Sequence, residues 1–157
     1  MQEHRAGRIE GYAIVSEDGM LATAAGIMPD ALKFDADARF FEAGLNGVDV
    51  VVHGRHSEER QPNSPQRRRL ILTRQVASID KHRSNVNALL WYPAGASFEQ
   101  ALAALGMPDA DIGVIGGPDV FGSFTMTPSI CRVHPTCYYR VAGRCFRKFL
   151  TGHRRMC

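Results

Sequence analysis

Gly116 and Gly117 stand side by side after the apolar run Ile112-Gly-Val-Ile115 and before Pro118-Asp-Val-Phe121. That order reads as a buried strand, a tight turn and a helix start. Glycine lets an anion reach the backbone, and the amides and dipole of a helix start favour a phosphate there. A turn that simply needs glycine produces the same text. Arg55 and Arg74 each follow another apolar run, at loops that a parallel sheet brings to one edge. A guanidinium at such an edge can fork onto a phosphate, whereas an isolated surface arginine is more often only solvated. Asp37 is the carboxylate of interest. At a helix start whose i+4 position is Phe41, it is placed to project into a cleft, where desolvation favours the protonated form and makes it a proton donor or a partner for an amidine-like edge. Asp35 fits a surface first-turn acid. His53 and His56 bracket Gly54-Arg55 without a third ligand at metal spacing in the body, so both read as structural.

The elements that must position these residues alternate along the chain as in an α/β domain. Residues 9–16 form a strand with Tyr12, Ile14 and Val15 as its apolar content, and a loop of small residues runs from 21 to 29. Residues 35–45 are helical, with Ala36, Phe40, Phe41 and Leu45 near a 3.6-residue period and acids in the first turn. Residues 48–53 are almost wholly β-branched, the mark of a strand buried on both faces. A polar loop then runs to Pro65, followed by strands at 70–73 and 89–92, a helix from Ser97 to Leu105 and a strand at 112–115.

At 157 residues, with 45% hydrophobic and 22% charged, the chain has material for one core and too little for two ordinary domains. No stretch nears the roughly 18 consecutive apolar residues that a membrane helix needs. The polar opening Met-Gln-Glu-His-Arg has no apolar segment behind it, so a cytoplasmic location is expected. The net charge of +3 conceals an asymmetry. Residues 125–157 hold seven of the 19 Lys and Arg and none of the 16 Asp and Glu, which leaves the preceding body at −4. All four cysteines, Cys131, Cys137, Cys145 and Cys157, lie in the same basic tail.

Taken in order, the pieces of residues 9–124 resemble the dihydrofolate reductase family. They are the first strand with Ser16-Glu-Asp-Gly-Met-Leu-Ala22, the Met28-Pro29 loop, Asp37 with Phe41, and Val50-Val-Val-His-Gly-Arg-His-Ser57. Pro65-Gln-Arg-Arg-Arg-Leu-Ile-Leu-Thr-Arg74 and Val114-Ile-Gly-Gly-Pro-Asp-Val-Phe121 follow. The resemblance implies a single-domain, three-layer α/β fold, with a mainly parallel sheet flanked by helices. It implies hydride transfer from NADPH to 7,8-dihydrofolate, giving tetrahydrofolate, in a monomer or homodimer with no nucleic-acid or membrane partner. By the same resemblance Asp37 holds the pterin and helps protonate it, Ala13, Ile14 and Phe41 line the substrate, and Arg67 grips the glutamate carboxylate of folate. Leu21, Ala22, Gly54, Arg55, His56, Ser57, Thr73, Arg74, Gly116, Gly117, Pro118, Asp119 and Val120 would hold NADPH, with Arg55 and Arg74 on its 2′-phosphate.

The sequence departs from the family at two places. Asp30 stands where the family has Trp after Met-Pro, and extra residues precede Asp37, so Asp35 is a rival for the acid. The phrase from Ser16 to Gly26 is also similar to the reductase domain of riboflavin biosynthesis, which uses NADPH on a phosphoribosylated pyrimidine. Arg67 favours folate, while reading Arg67-Arg68-Arg69 as a solvated run favours neither.

The resemblance ends at Phe124, where the family continues with a strand of the type Tyr-Asp-x-Phe-x-Leu-Ser and a hairpin containing Pro-Gly-Gly-Arg-Pro-Val-Phe-Pro. Back-translated and read from the third base of the Phe124 codon, the tail permits Tyr-Asp-Ala-Phe-Asp-Leu-Ser-Arg-Ala-Pro-Asp-Leu-Leu-Leu-Pro-Gly-Gly-Arg-Pro-Val-Phe-Pro-Glu-Val-Pro. Aspartate is forced at the junction of Met126 and Thr127, leucine is forced through Tyr138 and Tyr139, and no stop is compelled. The tail after Phe124 is therefore expected to be an out-of-frame, poorly ordered segment, with the closing hairpin missing and a sheet edge left bare. Poor solubility and weak turnover would follow. The rival is a basic module in which Cys131, His134, Cys137, Cys145, His153 and Cys157 bind zinc and Tyr138, Tyr139, Phe146 and Phe149 meet nucleic acid. Its spacing fits no common finger pattern.

Overall fold

Val50, Val51 and Val52 are at most 1% exposed, so the second strand has no solvent face, as its β-branched run requires. The computed structural model describes residues 7–12, 35–57, 60–116, 118–125, 138–141 and 144–147. In chain order the elements are β1 (Ile9–Tyr12), α1 (Asp35–Asn46), β2 (Val50–Gly54), β3 (Arg68–Leu72), β4 (Ile79–Lys81) and β5 (Ala88–Trp91). Then come α2 (Phe98–Ala104), β6 (Ile112–Ile115), α3 (Pro118–Thr125), β7 (Tyr138–Val141) and β8 (Arg144–Arg147), with a 3-10 turn at Ser64–Gln66 before β3.

The strands form one mixed sheet in the order β4-β5-β3-β2-β6-β1-β7-β8. Every pairing from β5 through to β7 is parallel; β4 with β5 and β7 with β8 are antiparallel. The chain is an α/β protein with a mainly parallel sheet. Among the described residues no helix is long and apolar enough to cross a membrane.

Strand alternation divides the interior between the two faces of the sheet. Ile9, Val50, Val52, Leu70, Ile112 and Val114 point to one face and pack with Phe98, Ala101, Leu102 and Leu105 of the α2 segment and Val120 and Phe124 of α3. Trp91 joins this core, its ring centroid 5.5 Å from Phe98, which meets Phe124 edge-on at 5.3 Å. Tyr12, Val51 and Ile115 point to the other face, beneath Leu45 of α1. The α2 helix starts where the sequence places it. Ser97 accepts from the Gln100 amide and Gln100 reaches back to the Ser97 amide, a complete capping box.

Three features differ from the expectation. The short edge strand β4 and the 3-10 turn lack the apolar alternation that marks the other elements, so the sequence pattern does not disclose them. The run Arg67-Arg68-Arg69 is not uniformly solvated, since Arg69 is 1% exposed. The sheet edge expected to be bare is occupied by a hairpin of the tail: β7 lies parallel to β1 and turns back antiparallel as β8. Strand β7 takes the edge of β1 away from β6, and Tyr138-Tyr-Arg-Val141 has the aromatic and β-branched content that suits a strand there.

Candidate functional site

Because β1, β2, β3, β5 and β6 run parallel, their carboxyl ends share one edge of the sheet, and Gly54, Arg55, His56, Ser57, Thr73, Arg74 and Gly116 lie at that edge. Gly54 closes β2 and begins a turn in which its carbonyl accepts from the Ser57 amide at 3.0 Å. Gly116 follows β6 with φ +117°, a conformation that L side chains rarely adopt. A Cβ at Gly116 would lie 2.9 Å from the Ser57 Cβ, 3.1 Å from its Oγ and 3.5 Å from the Gly54 nitrogen. The two turns therefore touch, and glycine at Gly116 keeps the contact open. A Cβ on Gly54 would lie 3.2 Å from Cγ2 of Val120, which is buried in α3. The first turn of α3, with Pro118 and Asp119, thus opens at the same place; of these two, only the backbone is described.

Arg55 and His56 occupy the middle of the Gly54 turn and are exposed. Arg74, one residue beyond Thr73 at the end of β3, is exposed as well. Thr73 is buried, its amide donating to the Trp91 carbonyl at 3.0 Å and its Oγ1 accepting from the Gln75 amide at 3.2 Å. Its hydroxyl shapes the turn that presents Arg74. Arg55 and Arg74 thus follow the adjacent parallel strands β2 and β3, at the same carboxyl edge as the glycine turns.

The α1 face supplies the second half of the site. Phe41 is half-buried and meets Tyr12 edge-on, with ring centroids 6.3 Å apart. The Tyr12 hydroxyl donates to Oε2 of Glu10 at 2.5 Å, and Nε of Arg8 lies 3.1 Å from Oε1 of the same carboxylate. Asp35 is the exposed first residue of α1; Asp37 is two positions on, in the same first turn, and only its backbone is described. Ala13, Ile14, Leu21, Ala22 and Gly117 lie outside the described residues.

Arg67 is not brought to the carboxyl edge. It precedes β3 at the opposite end, with Nη1 donating to the Leu45 carbonyl at 2.7 Å and Nη2 to Oδ1 of Asn46 at 2.9 Å. That amino-terminal edge is closed by hydrogen bonds. Asp49 and Asp111 exchange amide bonds at 2.8 Å, and Oδ1 of Asp111 accepts from the Arg8 amide at 2.7 Å.

A buried polar cluster on the α1 face was not foreseen as a unit. Nη2 of Arg69 donates to the carbonyl and hydroxyl of Ser64, both at 2.7 Å, and its Nη1 lies 3.3 Å from Nε2 of His53. His53 Nδ1 is 2.7 Å from the Gly54 carbonyl, so the tautomer protonated at Nδ1 satisfies both contacts. His53 is structural in placement, linking the site turn to the core. The signal lay in the alternation: Arg69 pairs with Val51 in register and must share its buried face. Glu10 and Tyr12, two apart on a strand, share a face for the same reason.

Of the six zinc candidates in the tail, only Cys145 falls within the described residues, on β8. The fold is that of an α/β protein that brings two touching glycine turns, with Arg55 and Arg74 in the adjoining loops, to the carboxyl edge of a parallel sheet. No protein-family description matches the chain, and no curated protein matches it.

Proposed function

We propose that the chain is an NADPH-dependent reductase of the dihydrofolate reductase type, acting on a pterin. The observation that carries this reading is the contact of the Gly54–Ser57 and Gly116 turns at the start of α3. The cradle fits a dinucleotide phosphate. Two glycine turns leave the backbone approachable, a helix start faces it, and Arg55 and Arg74 supply planar donors for a 2′-phosphate. NADPH, when bound there, supplies the hydride. Phe41 and Tyr12 offer an aromatic wall for the ring to be reduced, and Asp37, in the first turn of the same helix, is the proton donor. The side-by-side packing of α1 and β1 orients that ring and excludes water.

NADPH binding tests the reading directly. Arg55→Ala and Arg74→Ala should each weaken NADPH by about tenfold while leaving NADH unchanged, since only the former carries the 2′-phosphate. Failure of the native protein to bind NADPH would overturn the assignment. The second reading, reduction of a phosphoribosylated pyrimidine, is favoured by Arg67, whose guanidinium is committed to α1 rather than open to folate. An antifolate binds under the first reading and not under the second.

A further inference from the structure

Helix α1 ends without a basic residue in its last turn. Its terminal carbonyls and the negative end of its dipole are stabilised by a cation brought from elsewhere. Arg67 provides one across a sequence gap of 22 residues, bonding the Leu45 carbonyl with one terminal nitrogen and the Asn46 side chain with the other. Asn63 adds a 3.3 Å bond to the same Asn46 oxygen, so the loop before β3 holds the helix end at two points. That loop is in turn anchored from below, where buried Arg69 grips Ser64.

We propose that Arg67 is a positioning residue. It tethers the carboxyl end of α1 to the start of β3 and so sets how the helix, with Phe41 and Asp37, lies over Tyr12. This rests on the pterin-reductase reading for its consequence: the chain does not use Arg67 to select a carboxylated substrate tail. Both terminal nitrogens already bind the helix, and a substrate carboxylate would have to displace those bonds.

The test uses the full-length protein, Arg67→Met and Arg67→Lys, with two probes: 7,8-dihydrofolate and 7,8-dihydropterin, which lacks the glutamate tail. Arg67→Met should weaken both by the same factor, about tenfold for a charged hydrogen-bonding partner lost, and Arg67→Lys should restore part of the loss for both. Weakening of dihydrofolate alone would overturn the proposal, because a residue that grips the tail cannot affect a ligand without one. Hydrogen exchange without ligand reads the tether separately: the Gly47 amide, bonded to the Gly44 carbonyl at 3.0 Å, should exchange faster in Arg67→Met. Unchanged exchange overturns the tether. If the native protein binds neither pterin, the reductase reading falls and takes the positioning claim with it, while exchange still decides the tether.

Discussion

The two faces of the sheet are built by different means. Among the described residues, fourteen buried ones form the cluster beneath α2 and α3, including three aromatic rings in series, whereas four, Tyr12, Leu45, Val51 and Ile115, form the cluster on the α1 face. The balance on the α1 face is made up by His53, Ser64 and Arg69, all buried and all polar. Apolar burial is non-directional and scales with area, so of the two described clusters the larger contributes more apolar stabilisation. Hydrogen bonds and close contacts are directional, so the smaller face fixes geometry. Phe41 and Tyr12, proposed as the substrate wall, lie on the smaller face, and the glycine turns proposed for the nucleotide lie at the carboxyl edge.

Four substitutions test that division, in descending order of effect. Phe98→Ala should destabilise the protein by about 3–5 kcal/mol, since it empties the middle of the aromatic series. Denaturant unfolding followed by the fluorescence of Trp91, the single tryptophan, reads it. A loss below about 1 kcal/mol, the scale of a surface change, would mean that this face does not dominate. Gly44→Ala should cost up to about 3 kcal/mol, because a Cβ there overlaps the Tyr12 ring and forces α1 away from β1. On an unpacked helix the same change gains roughly 1 kcal/mol, so a stabilised variant would show that α1 does not rest on β1.

Gly116→Ala should cost of the order of 1–2 kcal/mol in backbone strain and crowding against Ser57. Its sharper effect is on the cradle: NADPH titration should show a larger loss of affinity than the loss of stability accounts for. Equal losses would make Gly116 a structural turn only. Ser97→Ala removes one half of the capping box and should cost about 1 kcal/mol, with ligand binding untouched. Any change in NADPH affinity there would couple the two regions that this comparison separates.

Much of the sheet was legible along the chain because burial on both faces leaves an unbroken apolar signature. The run Val50-Val-Val appears as a strand for that reason, and Ser97 with Gln100 marks the α2 start through local hydrogen bonding alone. The strand Ile112–Ile115 and the glycines behind it are of the same kind. Edge strand β4 was not legible, since with one side exposed its residues Ile79, Asp80 and Lys81 carry no pattern. The hairpin of β7 and β8 was not legible either: its place depends on the open edge of β1, far away in sequence.

The candidate site divides in the same way. Residue type and position alone pointed to glycine turns, to Arg55 and Arg74 after buried strands, and to an acid at the start of α1, because these depend on short-range chain geometry. Only the folded chain decided that the Gly54 and Gly116 turns touch, that Arg69 is buried beside His53, and that Arg67 holds the end of α1. Those outcomes join residues 16 to 62 positions apart. The distance is spanned by packing and by hydrogen bonds whose partners no local pattern names.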